Sequence, residues 1–482
     1  MSYRSLQSKG IRNAVEDSYL NSTLHSQLST LHNSPDHGKE LRCAMDKLRF
    51  FPDGSRMDDW FFDLPEISLE AMGRQYRFDQ CGVRDDGTPQ TEAIQALIDR
   101  AAAEGGGVIV VTPGRYLSGA LYFKQGVNLY LCPGATLMGS DDIRDFPLCQ
   151  TRIEGQNCLY FPALINAEGI RGFTIEGEGV IDGNGLRYWQ DFWLRRAWNP
   201  QCTNKDTQRP RLIFISHCED VLVRGVTLQN SPFWTNHLYK CRRVKYVGCS
   251  ILSPHAPVGA PSSDAIDIDA CQDVLVKGCT MAVNDDAVAL KGGKGAWADE
   301  QPENGANERI VIEDCAYGFC HGCLTFGSEN IHTRNVVFRN IEVGTGYNLL
   351  WMKLRPDTPQ RYEHVLVENI RGKAANFVNI NPWSQFYDRQ GREDMPLSAC
   401  ENVTVRDCRF ECDTFFNVRA DEAHYHLKDF TLENLDITAV NAEITPGAVE
   451  NLRTGGLRVT RKQTIDYPDS VTTLTDDNTV IS

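Results

Sequence analysis

The stretch "VLVKGCTMAVNDDAVALKGG", residues 274–293, decides the fold and poses a chemical problem. Its first six residues place apolar side chains at Val274 and Val276, then a turn residue, Gly278, then Cys279. The pattern is apolar, any, apolar, two of any kind, then Cys or an aliphatic. It recurs as "VLVRGV" at Val221, "VKYVGC" at Val244, "IVIEDC" at Ile310 and "VVFRNI" at Val336. It returns as "VLVENI" at Val365, "VTVRDC" at Val403 and "FTLENL" at Phe430. Each copy is a short period-2 strand followed by Gly, Asn or Asp. A strand repeated every few dozen residues, with no helical pattern between copies, predicts an all-β solenoid. Equivalent positions then form ladders spaced about 4.8 Å apart. Cys249, Cys279, Cys315 and Cys408 share one slot and are expected to stack inside the coil.

The rest of the chain fits around this repeat. Thr91 to Glu104 is Ala-rich with apolar residues at helical spacing, and Gly105, Gly106 and Gly107 end it. A helix there would cap the open N-terminal end of the coil, which otherwise exposes core. Residues 187–210 are expected to project as a loop. The expected division is an N-terminal extension over 1–60, the solenoid over 61–455 and a polar tail over 456–482. The 482 residues are 41% hydrophobic and 23% charged, enough apolar content for a large core. Length alone suggests about three domains, but a repeat fold overrides that prior. A net charge of −15 argues against nucleic-acid binding. No run approaches the roughly 18 apolar residues of a membrane span.

The first residues, "MSYRSLQSKGIRNAVEDSYL", hold no apolar block of the kind a signal peptide needs. The 17 cysteines are odd in number and scattered, unlike a secreted disulfide framework. Buried reduced thiols in a cytoplasmic protein are the expectation. A leader trimmed before the first residue would place the protein outside the cell instead.

The chemical problem is Asp285 beside Asp286 in an apolar strand context. Adjacent carboxylates repel, and burying one unpaired costs several kcal/mol. Asp264, in "SSDAIDIDAC", precedes them by 21 and 22 residues, about one turn of the shorter coils. Stacking gathers Asp264, Asp285 and Asp286 on one wall, with Asp267 nearby. Clustered acids separate in pKa, so one stays protonated while another is ionised. That is the pair glycoside hydrolysis needs, an acid for the leaving oxygen and a carboxylate that activates water.

Four short stretches, in order, resemble the motifs of the polygalacturonase family (glycoside hydrolase family 28). They are "SSD" with Asp264, "NDD" with Asp285 and Asp286, "CHG" with His321 followed by "CLTFGSE", and "WMK" with Lys353. The resemblance runs from about Phe78 to Leu435. It implies a single-stranded right-handed parallel β-helix and hydrolysis of galacturonate-containing, pectic oligosaccharides or polysaccharides with inversion. It further implies Asp285 as general acid, Asp264 and Asp286 as the pair activating water, and His321 as the residue tuning the acid. Lys353 is then the cation for a galacturonate carboxylate. No metal or cofactor is implied. An exo-acting enzyme would suit imported oligosaccharides, with residues 187–210 closing one end of the groove.

The chain departs from that pattern twice. Trp351 stands where the family has arginine, and Arg355 is a candidate replacement. Cys320 replaces a glycine and makes "CHGC" with Cys323, which also reads as half a zinc site or a redox pair, although no matching second pair follows. Trp383 is a candidate for lining the sugar site. Trp234 and His237, in "SPFWTNH", read equally as sugar platform or as packing. Asp267 and Asp269 read as a solvated strand face. Two rival functions remain: a polysaccharide lyase, which would need Ca²⁺ and a basic proton abstractor, and a non-catalytic carbohydrate-binding solenoid.

Overall fold

The computed structural model describes residues 49–64 and 66–467. The expected extension therefore falls largely outside the described residues, as does the end of the tail. Of the described residues, those up to Asp58 form one unit and those from Asp59 onward another. In the first, Phe50 and Arg56 make an antiparallel bridge.

The second unit is a right-handed parallel β-helix. Its repeat is the one the sequence announces. The first residues of all eight hexapeptides stack in register, Val221 on Val244, Val274, Ile310, Val336, Val365, Val403 and Phe430 in turn. Unequal repeat lengths are absorbed between strands and never within the hexapeptide.

Its turn chemistry has a backbone cause. The residue before each hexapeptide is left-handed, from Asp220 (φ 57°) through Asp273 (φ 58°) to Asp429 (φ 56°). So is its fifth residue, as in Gly278 (φ 65°), Asp314 (φ 58°) and Asn340 (φ 57°). Gly, Asn and Asp tolerate that region best, so they punctuate the corners.

Cys249, Cys279, Cys315 and Cys408 are buried in the core as expected. A second cysteine ladder escaped the sequence reading. The Cys241 amide donates to Cys271 Sγ at 3.3 Å, and the Cys271 amide to Asn307 Oδ1 at 2.9 Å. Every described cysteine is a free thiol.

Helix α1 (Thr91–Ala103) caps the coil. Ile94, Leu97, Ile98 and Ala101 are buried against strands Gly107–Val111 and Leu121–Phe123. Such side chains contribute roughly 1.5–3 kcal/mol each for the larger ones. At the far end the ladder passes the expected boundary at 455, because Arg458–Arg461 pairs with the strand carrying Asp436. That strand is polar and mostly exposed, so it carried no apolar signature.

The expected projecting loop is instead helix α2 (Leu186–Trp198) followed by a short turn at Asn204–Asp206. Tyr188, Trp189 and Phe192 form its buried face. Trp189 Nε1 donates to the Ser231 carbonyl at 3.0 Å, fastening the helix to the coil. A hairpin, Cys149–Ile153 with Gln156–Tyr160, is the one antiparallel strand pair among the described strands.

Candidate active site

Four adjacent strands carry the site: Ile266–Asp269, Val288–Lys291, Gly322–Phe326 and Asn348–Leu354. Ile266, Ile268, Val288, Leu290, Leu324 and Leu350 belong to the core. The alternate residues leave the coil on the other face. The acids sit in the turns entering these strands, and the turns stack as the strands do. The Ala265 amide donates to the Asp286 carbonyl at 2.9 Å, Ala287 to Gly322 at 2.8 Å and His321 to Asp285 at 2.9 Å. This geometry resolves the conflict in residues 274–293. Asp285 and Asp286 occupy the corner before the strand, outside its apolar row.

The stacking brings Asp264, Asp285 and Asp286 together, with one carboxylate oxygen from each lying within 4.8 Å of the other two. Their exposures differ. The Asp285 side chain is 26% exposed, while those of Asp264 and Asp286 are 4% and 1%. The Asp286 amide donates to Asp285 Oδ1 at 3.0 Å, orienting the protruding carboxyl. His321 Nδ1 lies 3.7 Å from Asp285 Oδ1, with Tyr347 edge-on to its ring. Burial, and then the neighbouring Asp267 and Asp285 charges, push Asp264 well above the usual carboxylate range.

Lys353 Nζ donates to Asp286 Oδ2 at 2.7 Å. The same ammonium lies 4.0 Å from the Trp351 ring centroid and 5.5 Å from that of Trp383. The two indoles and one carboxylate thus box a single cation. Arg355 also lines the cleft, but its guanidinium is clamped by Asp357 at 2.7 and 2.9 Å and donates to the Phe386 carbonyl at 2.8 Å. That arrangement anchors the segment beyond Trp383.

The cleft encloses about 510 Å³. Phe192, Trp193 and Arg196 of α2, Asn204 and Lys205 after it, and Glu154 at the hairpin tip form one wall; Trp351, Trp383 and Phe386 belong to another part of the lining. Trp234 contributes to the lining, whereas His237 is fully buried below it. His237 Nε2 lies 3.3 Å from Asp269 Oδ2, and burial pushes its pKa down to about 4.

One expectation needs correction. Asp267 and Asp269 are both fully buried, not solvated. They do lie on the coil's outward face, but the hairpin folds over it. Arg152 of that hairpin donates to Asp269 at 2.7 and 3.2 Å. Burial alone would raise Asp269, yet Arg152 and His237 hold it below the usual range. The "CHGC" cysteines sit in the hydrophobic core with their sulfurs 3.6 Å apart. The Cys323 thiol and burial push Cys320 far up, so it packs as a neutral group.

Sequence reading missed Lys291 and Glu329. Lys291 Nζ lies 3.3 Å from Glu329 Oε2, 3.7 Å from Asp267 Oδ1 and 3.8 Å from Asp264 Oδ2. Burial would depress Lys291, but Glu329, Asp264 and Asp267 hold it well above its usual value. The signal was present, since Lys291 ends the quoted strand on the face that Asp269 occupies one rung below.

Comparison with known proteins agrees with this geometry. The family profile "Glycosyl hydrolases family 28" matches residues 148–381. A "Probable polygalacturonase" of Vitis vinifera is 31% identical over 221 residues, covering 44% of this chain and 43% of that protein. An "Exo-poly-alpha-D-galacturonosidase" of Dickeya chrysanthemi is 26% identical over 319 residues, covering 58% and 51%. The chain thus spans about half the length of these relatives. The exopolygalacturonase structure from Thermotoga maritima superposes with a TM-score of 0.64 at 21% identity, over 82% of this chain and 94% of that one, and so shares the fold. Residues 148–381, the segment that matches the family 28 glycosyl hydrolases, carry the three acids, His321, Lys291 and Lys353.

Proposed function

We propose that the protein is a glycoside hydrolase that cleaves galacturonate-containing oligosaccharides by inverting acid/base catalysis. The observation that carries the reading is the unequal placement of the three acids. Asp285 protrudes toward the cleft and can protonate a leaving oxygen. Asp264 and Asp286 are recessed and can hold an attacking water. A carboxylate separation of roughly 6.5–9.5 Å is usual for inversion and about 5 Å for retention, so the 4.8 Å spread of oxygens taken alone favours retention. Burial argues the other way. A nucleophile must touch the anomeric carbon, and Asp286 is 1% exposed and tied to Lys353. Proton NMR of the first-formed sugar decides between them: the anomer opposite to the substrate linkage is expected, and the same anomer would establish retention.

Substrate choice follows from the boxed ammonium. Lys353 supplies the charge for a uronate carboxylate, while Trp351 offers a face for a sugar ring in place of a second cation. The pocket therefore suits a decorated or mixed pectic oligosaccharide, such as a rhamnogalacturonan fragment. The wall of α2 and the hairpin favours exo action. The free thiols favour a reducing compartment. A panel of pectic oligosaccharides, assayed with and without EDTA, tests the whole reading. Hydrolysis that persists in EDTA is expected, and a Trp351→Arg variant should shift preference toward unsubstituted galacturonate. Unsaturated products, or loss of all activity in EDTA, would move the protein to the lyase class.

The glycine after His321 is a further handle. A Cβ at Gly322 would lie 2.8 Å from Asp286 Oδ1 and 2.0 Å from Thr325 Oγ1. Gly322→Ala should displace Asp286 and lower kcat about ten- to a hundredfold, as sub-ångström to ångström misplacement does. Steady-state kinetics on a variant with an unchanged melting profile checks this.

A further inference from the structure

Arginines on the outside of this coil are commonly stacked on acids. Arg224 pairs with Glu176 at 2.7 Å, Arg339 with Glu313 at 2.6 Å and Arg406 with Glu368 at 2.6 Å, each in register on the neighbouring rung. One column breaks this habit. Arg371 is in register with Arg409, the one place among the described strand pairs where Lys or Arg stands on Lys or Arg. Adjacent rungs are about 4.8 Å apart, and like charges directly opposite one another destabilise a sheet.

The flanking rungs do not relieve the pair. Glu342 precedes Arg371 in the column and Asp436 follows Arg409, yet Asp436 sits 3.8 Å from Arg458 instead. Arg371 and Arg409 are both exposed, and among the described residues neither makes an ion pair or a side-chain hydrogen bond. Beside them, Lys373 Nζ donates to the Asp466 carbonyl at 3.0 Å, and Glu411 faces Lys462 at 3.7 Å. Glu411 and Asp436 thus have cations of their own, and the surplus at this spot is positive. Arg371, Lys373, Arg409 and Thr438 border a cavity of about 310 Å³ that shares no residue with the cleft.

We propose that the Arg371–Arg409 column is a second binding site for a uronate polymer, holding the chain on the coil surface apart from the cleft. A guanidinium fork takes a carboxylate in two parallel N–H···O bonds. Two forks one rung apart suit a ligand that presents carboxylates in series, as a polyuronate does. Such a ligand also removes the repulsion between the two arginines. The net charge of −15 does not forbid the contact, because charge beyond about 8 Å is screened at physiological ionic strength. The inference rests on the reading of a uronate as the substrate class.

Affinity electrophoresis in gels containing polygalacturonate tests it, with Asp285→Asn protein as the parent so that the polymer stays intact. Adding Arg371→Gln and Arg409→Gln should weaken retention about tenfold, the scale of two exposed ion pairs. The difference should vanish on fully methyl-esterified polymer, which lacks the carboxylates, and shrink as salt is added. The melting temperature should not fall, because the pair has no ion partner to lose. This measurement needs no turnover. A wild type that cleaves no pectic oligosaccharide would count against the hydrolase reading alone, and unchanged retention of the Gln variant would count against this site alone. Equal loss on the esterified polymer, or a lowered melting temperature, would overturn the proposal in favour of a structural role. Retention of double-stranded DNA by the same arginines as strongly as of polygalacturonate would overturn it in favour of a nucleic acid. An effect of the arginines that appears only after residues 468–482 are removed would mean that the chain's own end occupies the pair, and would overturn it too.

Discussion

Replacing Asp285 by asparagine should leave the coil folded and remove about three orders of magnitude from kcat, in line with the loss of a general acid. The side chain is partly exposed and makes no ion pair closer than His321 at 3.7 Å. Its amide replacement can still accept from the Asp286 N–H, so local geometry survives. What disappears is the proton for the leaving oxygen. The comparison that matters is between substrates. An oligosaccharide with an activated aryl leaving group needs little protonation, so the variant should lose far less on it. Near-full activity of Asp285→Asn on a natural pectic oligosaccharide would show that another group is the acid.

Lys353→Ala is the second large effect, and it should strike both kinetic parameters. Removing the ammonium leaves Asp286 buried beside two indoles without its 2.7 Å partner. Uncompensated buried charges cost about 3–5 kcal/mol when one partner is deleted, so Asp286 is expected to take up a proton instead. A protonated Asp286 cannot accept from an attacking water, and kcat falls by at least about a hundredfold on the general-base scale. Loss of the cation that faces a uronate carboxylate raises KM as well. Assays on uronate and neutral oligosaccharides separate the two roles. The kcat loss should appear on both, and the KM rise on uronates only. Unchanged KM on uronates would remove Lys353 from carboxylate recognition while leaving its hold on Asp286 intact.

Much of this was legible because the repeat writes itself into the chain. A hexapeptide flanked by left-handed corners returns in register through eight copies, and acids spaced by one coil must meet. What the sequence hid came from insertions that fold back. Nothing in residues 149–160 announces that Arg152 will cover the strand carrying Asp267 and Asp269, so alternation alone read that face as wet. The helix at Leu186–Trp198 was likewise concealed within a stretch whose aromatic residues looked like loop. Lys291 was visible in the quoted strand, but its role depends on Glu329, 38 residues later. Arg355 looked like a spare cation until Asp357, two residues on, took up its guanidinium.

The stacking of corners also imposes a timetable. In a coil each layer touches only its neighbours, and synthesis delivers the N-terminal layers first. Asp264, Asp285 and Asp286 can come together as soon as two layers exist, a crowd of like charges with no cation yet opposite Asp286. Their counter-charge arrives in instalments. Lys291 follows within the same layer, and Lys353 reaches Asp286 only 67 residues later. A nascent chain halted between those two points would hold the acids without their second cation. Truncated chains ending just before and a few residues after position 353 should therefore differ sharply in how firmly this region resists protease.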